Sequence, residues 1–304
     1  MTIAQLDHAA IGRPITRAGV SLFPIHLPTS VDHDPTGAIA DRTDDVVISE
    51  QASAEVPSIR VTNPGLRPVL LVEGETITGG QQNRTLNVSV LVPAATTIDV
   101  PVSCVEAGRW SGERAFTRGR SFASRRVRRV KTASVRSNLQ RGHTKFSDQG
   151  AVWSTIDAEL HRVQMHNPTS SLLASEALLE QDQRLREATA ELIARGPLPG
   201  QCGVVLSHGS RIVAVELFAN PRLLEANWEP LVRAALLDAP IEVRGRPSAG
   251  RALDFLHRMA TAASTDAPGV GLGRESHVRT DRLVGQALLL DGFVVHASAF
   301  ALAA

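Results

Sequence analysis

The sequence predicts an α+β protein with a β-rich N-terminal unit, built as a sandwich or partly open barrel, then central helices and a C-terminal unit in the order ββααβββ. Three observations carry this expectation. Short β-branched runs bounded by Gly, Pro and Asn crowd residues 58–102, and no helical period appears before residue 124. Beyond that point strands and helices fall into runs rather than alternating. At 304 residues, one large domain or two ordinary ones fit the length. The expected segments are a β-rich unit with a basic loop over 1–145, a helical connector over 146–196 and an α+β unit over 197–304. One compact domain overall is the alternative.

Taken in order, residues 20–27 form a clear strand that stops at Pro28. Residues 36–58 read as a polar connection with a short strand at 46–49. Strands follow at 58–62, 68–72, 85–92 and 96–102, separated by Asn63-Pro64-Gly65, Gly79-Gly80 and Pro93-Ala94. The Gly, Ser and Arg content of 108–124 suggests a mobile loop. A basic helix fits 125–139, anchored by Val127, Val130 and Val135. The next helix starts from a cap at Ser147-Asp148-Gln149 and runs through Ile156 and Val163. Another spans 175–194 and stops at Arg195-Gly196-Pro197. Strands at 202–206 and 211–217 precede helices at 221–237, with Pro near its start, and 248–263, with a Ser cap. Strands at 276–280, 283–290 and 293–300 close the chain, the last two joined by Asp291-Gly292.

The composition, 43% hydrophobic and 21% charged, is that of an ordinary globular chain. With eight Phe, three Trp and no Tyr, the core must rest on aliphatic residues. The first twenty residues hold no apolar run of the secretory kind, and no window approaches the ~18 apolar residues of a membrane span. Two cysteines about a hundred residues apart exclude a disulfide framework and a Cys-rich zinc site. A reducing cytoplasm is the expected compartment. The net charge of +1 hides an asymmetry. Twelve Lys or Arg lie between Arg109 and Lys145 against the single acid Glu113, so the remainder of the chain is acidic.

Three polar stretches could carry chemistry. The first, 73–84, holds Glu73, Glu75, Gln82, Asn83 and Arg84 with paired glycines between two buried-looking strands. Amides read donor and acceptor patterns, and Arg grips carboxylate or phosphate with two prongs. A solvated hairpin loop explains the same residues. The second, 101–110, holds Cys104, Glu106, Arg109 and Trp110. Trp110 offers a stacking face and Arg109 a phosphate contact, whereas Cys104 reads best as a small buried residue. Packing explains Trp110 equally well. In the third, 147–153, Asp148 is a helix cap or, beside Glu73 and Glu75, a carboxylate for acid–base work. The basic run reads as a lid over an anionic ligand, as a nucleic-acid surface over 109–145, or as a solvated face. The glycines of 269–275 follow a helix and precede strands, so a linker fits better than a phosphate loop.

These three stretches, together with Leu91-Val92-Pro93-Ala94, resemble a domain family named for its association with ADP-ribosylglycohydrolases and the rhodanese-phosphatase superfamily. The resemblance covers nearly the whole chain, including its last strands. It implies a neighbourhood of NAD and ADP-ribose metabolism rather than a particular activity. It nominates Glu73, Glu75, Gln82, Asn83, Arg84, Glu106, Arg109, Trp110 and Asp148. The expected function is an intracellular ligand-binding or accessory protein taking an ADP-ribose-like anionic nucleotide. In that reading Gln82, Asn83, Arg84, Glu106, Arg109 and Trp110 hold the ligand. The alternatives are a hydrolase using Glu73, Glu75 and Asp148, and an RNA-binding module. No metal ligands are nominated, although Glu73, Glu75, Glu106 and Asp148 are of the type that could supply oxygen ligands, and no cofactor is specified.

Overall fold

The computed structural model describes residues 6, 8–28, 35–40, 45–51, 55–239, 242 and 244–302. The chain opens with β1 (Ala10–Ile11), β2 (Ile15–Arg17) and β3 (Val20–His26). Next come β4 (Val47–Ser49), β5 (Ser58–Asn63), β6 (Val69–Leu71), β7 (Glu75–Gly79), β8 (Arg84–Leu86), β9 (Val90–Val92), β10 (Thr96–Cys104) and β11 (Ala115–Phe122). Helices α1 (Arg125–Gln140), α2 (Gln149–Arg162), α3 (Ala177–Gln181) and α4 (Gln183–Arg195) follow. The remainder is β12 (Gly203–His208), β13 (Arg211–Phe218), α5 (Pro221–Leu237), α6 (Ala249–Thr261), β14 (Ser264–Pro268), β15 (Arg274–Arg279), β16 (Leu283–Leu290) and β17 (Phe293–Ala301). Residues 41–44 and 52–54 of the expected polar connection lie outside the described residues.

The fold is α+β. Strands β4, β5, β7, β8, β10 and β11 close a barrel, and β6 pairs with β9 beside it. A second, antiparallel sheet runs β1-β3-β12-β13-β17-β16-β15-β14, with β2 also on β3. The first strands of the chain therefore complete the sheet made by the last ones. Alternation along β13 and β17 divides that sheet into two faces. Val215 and Leu217 of β13 and Ala297 and Ala299 of β17 face α6, where Phe255, Leu256 and Met259 cover them. Phe300, together with Val213 and Val295 at register shifts in those strands, lies on the opposite side, with Leu224, Leu231 and Val232 of α5 and Leu192 of α4. The barrel has its own core of Ile59, Val61, Ile77, Leu86, Val100, Val102 and Phe116.

Several segments differ from the sequence reading. The stretch expected as a polar hairpin loop contains β7, and the expected mobile loop contains β11. Both strands are needed to close the barrel, since β11 bridges β4 and β7. Ala-Phe-Thr-Arg-Gly-Arg-Ser-Phe has little intrinsic β preference, so pairing partners rather than propensity hold it extended. The long helix expected at 175–194 is split because Asp182 caps a fresh helix, its side chain accepting from the Leu185 amide at 3.0 Å. Strand β14 adds a fourth strand to the expected C-terminal trio. The 269–273 glycines form the β14–β15 connection, where the Leu272 amide donates to the Leu91 carbonyl at 2.8 Å.

Helix α1 positions most of the charge. Ser124 caps it, its side chain accepting from the Val127 amide, yet its first five residues carry four arginines and no acid. That pattern opposes the helix dipole. The arginines have other work, described next.

Candidate functional site

Two polar assemblies emerge, one between α1 and the sheet, the other at one end of the barrel. The first gathers Glu73, Arg128, Lys131, Glu216, His296, Ser298 and Ser89, all essentially out of solvent. Glu216 sits on β13 between core residues Val215 and Leu217, and it pairs in register with Ser298 of β17. The Arg128 guanidinium grips both carboxylates. Its Nη2 lies 2.8 Å from Glu73 Oε2, and its Nη1 2.6 Å from Glu216 Oε1. Phe300 and Phe122 flank the guanidinium at 4.8 and 5.3 Å, replacing water with aromatic faces. Lys131 donates to Glu73 and to the carbonyls of Leu86 and Asn87. Two cations thus meet two anions.

Burial pushes the Glu73 carboxyl up, but Arg128 and Lys131 outweigh it and hold the group down at about 2. Burial draws Lys131 down to about 8, with Glu73 opposing. Gly74 makes the grip on Glu73 feasible. Its φ is +85°, and a Cβ there would sit 2.2 Å from Arg128 Nε. Ser89 Oγ accepts the Glu73 amide and bonds His296 Nδ1 at 2.8 Å, while His296 Nε2 reaches Glu216 at 3.2 Å. The order Ser–His–Glu has the shape of a nucleophile relay. Here, however, the hydroxyl is 2% exposed and serves as a buried link. A cavity of about 30 Å3 lies beside Arg128 and Glu216, also lined by Arg125, His208 and Asp238. It has room for about one water.

The second assembly forms where β8, β10 and the β7–β8 turn meet. Arg84 pairs across the sheet with Ile77 and Cys104, so its side chain shares the inward face with the barrel core. Arg84 Nη1 lies 3.2 Å from Gln82 Oε1 and 2.7 Å from Cys104 Sγ. The thiol is 2.6 Å from Gln82 Oε1. Burial pushes that thiol up to about 11 despite Arg84, so Cys104 is a packed thiol at neutral pH. Glu50 approaches Arg84 Nη2 at 3.6 Å from the end of β4. Among the described residues, Arg84 Nε and Nη2 and Glu50 Oε2 have no hydrogen-bond partner. Above them the Trp110 ring, 52% exposed, stands 5.8 Å from the Arg84 guanidinium.

A rim network surrounds this pair. Glu106 accepts from Arg109 Nε at 2.8 Å, from Thr169 Oγ1 at 2.8 Å and from the Asn83 amide at 3.3 Å. Arg109 also donates to the carbonyls of Gly79, Gly80 and Ser111 and to Asn83 Oδ1. All its N–H groups are thereby engaged in holding the β7–β8 turn against the 106–111 loop. Gly80 has a φ of +54°, and a Cβ there would lie 2.1 Å from the Phe116 ring. Gln149 ties the third polar stretch to the same place, its side chain bonding both the amide and the carbonyl of Cys104.

The nominated residues therefore divide by location. Gln82, Asn83, Arg84, Glu106, Arg109 and Trp110 gather at the barrel end. Glu73 is in the ionic cluster under α1. Glu75 pairs with Arg118. Asp148 caps α2, its side chain accepting from the Ala151 amide at 3.0 Å. Sequence reasoning did not nominate Glu50, Gln149, Lys131, Arg128, Glu216 or His296 as site residues, and read His296 as a satisfied core or surface residue. A signal existed for three of them: Glu50 continues the inward alternation of Ile48, while Glu216 and His296 interrupt otherwise apolar strands. Among the described residues, no group of three or more His, Cys, Asp or Glu is placed to hold a metal ion.

Fold and site together define an α+β protein with a polar barrel end and an ionic core. The chain belongs to the ARPP-1 family, described as the ARG and Rhodanese-Phosphatase-superfamily-associated Protein domain, which it matches over residues 8–300. ARG denotes ADP-ribosylglycohydrolase, so the family is named for an association with those enzymes and with the rhodanese-phosphatase superfamily. Comparison with curated proteins and with solved structures finds no match. Among the described residues no helix is long and apolar enough to cross a membrane.

Proposed function

We propose that the barrel end is a ligand site for an anionic nucleotide of the ADP-ribose kind, and that the protein acts as a binding or accessory factor. One observation carries the reading. A fully buried guanidinium, Arg84, retains two unfilled donor positions beneath a half-exposed indole, Trp110. Buried donors without partners are rare in folded proteins, and each one costs about 1–3 kcal/mol. A phosphate or ribose oxygen entering under Trp110 supplies the missing acceptor, while the outer indole face stacks on a base. The family's association with ADP-ribosylglycohydrolases favours ADP-ribose as the first ligand to try. The paired-carboxylate reading gains no support from the geometry, because Glu73, Glu75 and Asp148 hold three unrelated sets of partners.

Calorimetry with ADP-ribose tests this. Wild-type protein is expected to bind. Trp110→Ala is expected to weaken binding about tenfold, in keeping with ~1–3 kcal/mol for a stacked base. Arg84→Ala is expected to weaken it further. A melting curve accompanies each variant, since Arg84→Ala leaves Glu50 without its cation. No heat from ADP-ribose, AMP or NAD with the wild type defeats the reading.

A further inference from the structure

Helices α1 and α2 leave an open cleft of about 390 Å3, with Arg126 and Arg129 on one wall and Ser154, Glu159 and Arg162 on the other. Arg125 and Arg211 add their charge nearby, so five arginines face two carboxylates, Asp238 and Glu159. Those carboxylates are already engaged. Asp238 accepts from Arg126 Nη1 at 2.8 Å and from the Arg125 amide at 2.7 Å. Glu159 lies 3.6 Å from Arg126. Arg129 and Arg162 have neither a hydrogen bond nor an ion pair among the described residues. Arg129 is half-buried and Arg162 exposed, and the positive charge of Arg126 presses on each of them.

We infer that this cleft is an anion site distinct from the barrel end, taking a phosphate group between the Arg129 and Arg162 guanidinium groups. Like charges held together in a partly desolvated cleft repel, and a multiply charged oxyanion reverses the sign of that interaction. The chemistry matches: each guanidinium offers parallel N–H donors, and the exposed Ser154 hydroxyl can add another. The phosphate could belong to a small phosphorylated molecule or to a polynucleotide backbone, since both present the same oxygens.

Glu159 makes the site sensitive to pH. Burial, then the neighbouring Asp238, pushes its carboxyl up to about 7, while Ser124, Arg126 and Arg162 pull it back. Arg129 lines the same cleft, and Arg125 flanks Asp238. His208 is held down at about 4, chiefly by burial, and stays uncharged above pH 6. Protonation of Glu159 therefore removes an anion that competes with the ligand.

The test titrates the whole protein with inorganic pyrophosphate at pH 8 and pH 6. Wild type is expected to bind, and the paired change Arg129→Gln with Arg162→Gln to weaken binding at least tenfold. The surface change Arg282→Gln, which also removes one cation, is expected to leave affinity within twofold. Glu159→Gln is expected to bind severalfold more tightly than wild type at pH 8 and equally at pH 6. This ratio cancels the titration of pyrophosphate itself. A short single-stranded RNA separates the sources. RNA binding that pyrophosphate displaces and the paired change abolishes assigns the phosphate to a polynucleotide. Pyrophosphate binding without RNA binding assigns it to a small molecule. No binding of millimolar pyrophosphate by the wild type, or binding that the paired change leaves within twofold, overturns the site. An affinity ratio independent of pH overturns the role of Glu159. None of these outcomes depends on ADP-ribose binding under Trp110.

Discussion

Helix α1 carries cations on two faces, and the fold treats them in opposite ways. On the inner face, Arg128 and Lys131 are buried, and each meets carboxylate oxygen in a closed network. On the outer face, Arg126 leans on Asp238, while Arg129 lines the same cleft as Arg162, with no side-chain hydrogen bond or ion pair of its own among the described residues. The same residue type at adjacent positions, about 100° apart around the helix, is structural in one place and available in the other. The reason is desolvation. A charge taken fully out of water must be matched or it unfolds the protein, whereas a half-exposed one can wait for a ligand. Arg84 stands between these limits, buried like Arg128 but with donors still open.

The largest effect should come from breaking the inner network. Arg128→Met leaves Glu73 and Glu216 buried without their shared cation and is expected to cost about 3–5 kcal/mol in urea denaturation. A loss below about 1 kcal/mol would show that the network is not closed in the way described. The same network predicts an acid response. The folded Glu73 carboxyl is held at about 2, below its ordinary 4.5. Its stabilising contribution is therefore present above pH 4.5 and lost as pH falls toward 2. Next in size is Gly74→Ala, expected to cost about 2 kcal/mol because the site combines a positive φ with contact against Arg128.

Smaller effects belong to the outer face. Glu159 is raised to about 7, so its contribution is favourable at low pH and is lost as pH rises through 7. Glu159→Gln should therefore stabilise the protein by about 1 kcal/mol at pH 8 and change little at pH 4, which melting curves at the two pH values would show. Smallest of all, Arg129→Gln should shift stability by no more than about 0.5 kcal/mol. A loss comparable to that of Arg128→Met would erase the contrast between the two faces.

Much of this architecture was readable from local rules. The strand at 20–26, the hairpin at Asp291-Gly292 and helix α5 starting at Pro221 follow from alternation, turn chemistry and a Pro-led first turn, all properties of neighbouring residues. Strands β7 and β11 were not readable, because barrel closure rather than side-chain preference keeps them extended. The family resemblance was legible in the polar motifs, and residues of all three stretches meet at the barrel end. The basic run was legible as charge but not as two faces. Arg128 and Lys131 share a helix side with Val135, yet nothing local announces that Glu73, 55 residues earlier, and Glu216, 88 residues later, complete them. Pairing over such separations is set by the sheet and barrel together.

The functional account stands on ligand entry beneath Trp110, and indole emission reports on that place. Titrating wild-type protein with ADP-ribose should produce a saturable change in tryptophan fluorescence that disappears in Trp110→Phe, although Trp153 and Trp228 remain. Emission that stays flat at millimolar ADP-ribose, or a change that survives in Trp110→Phe, would contradict a nucleotide site at the barrel end.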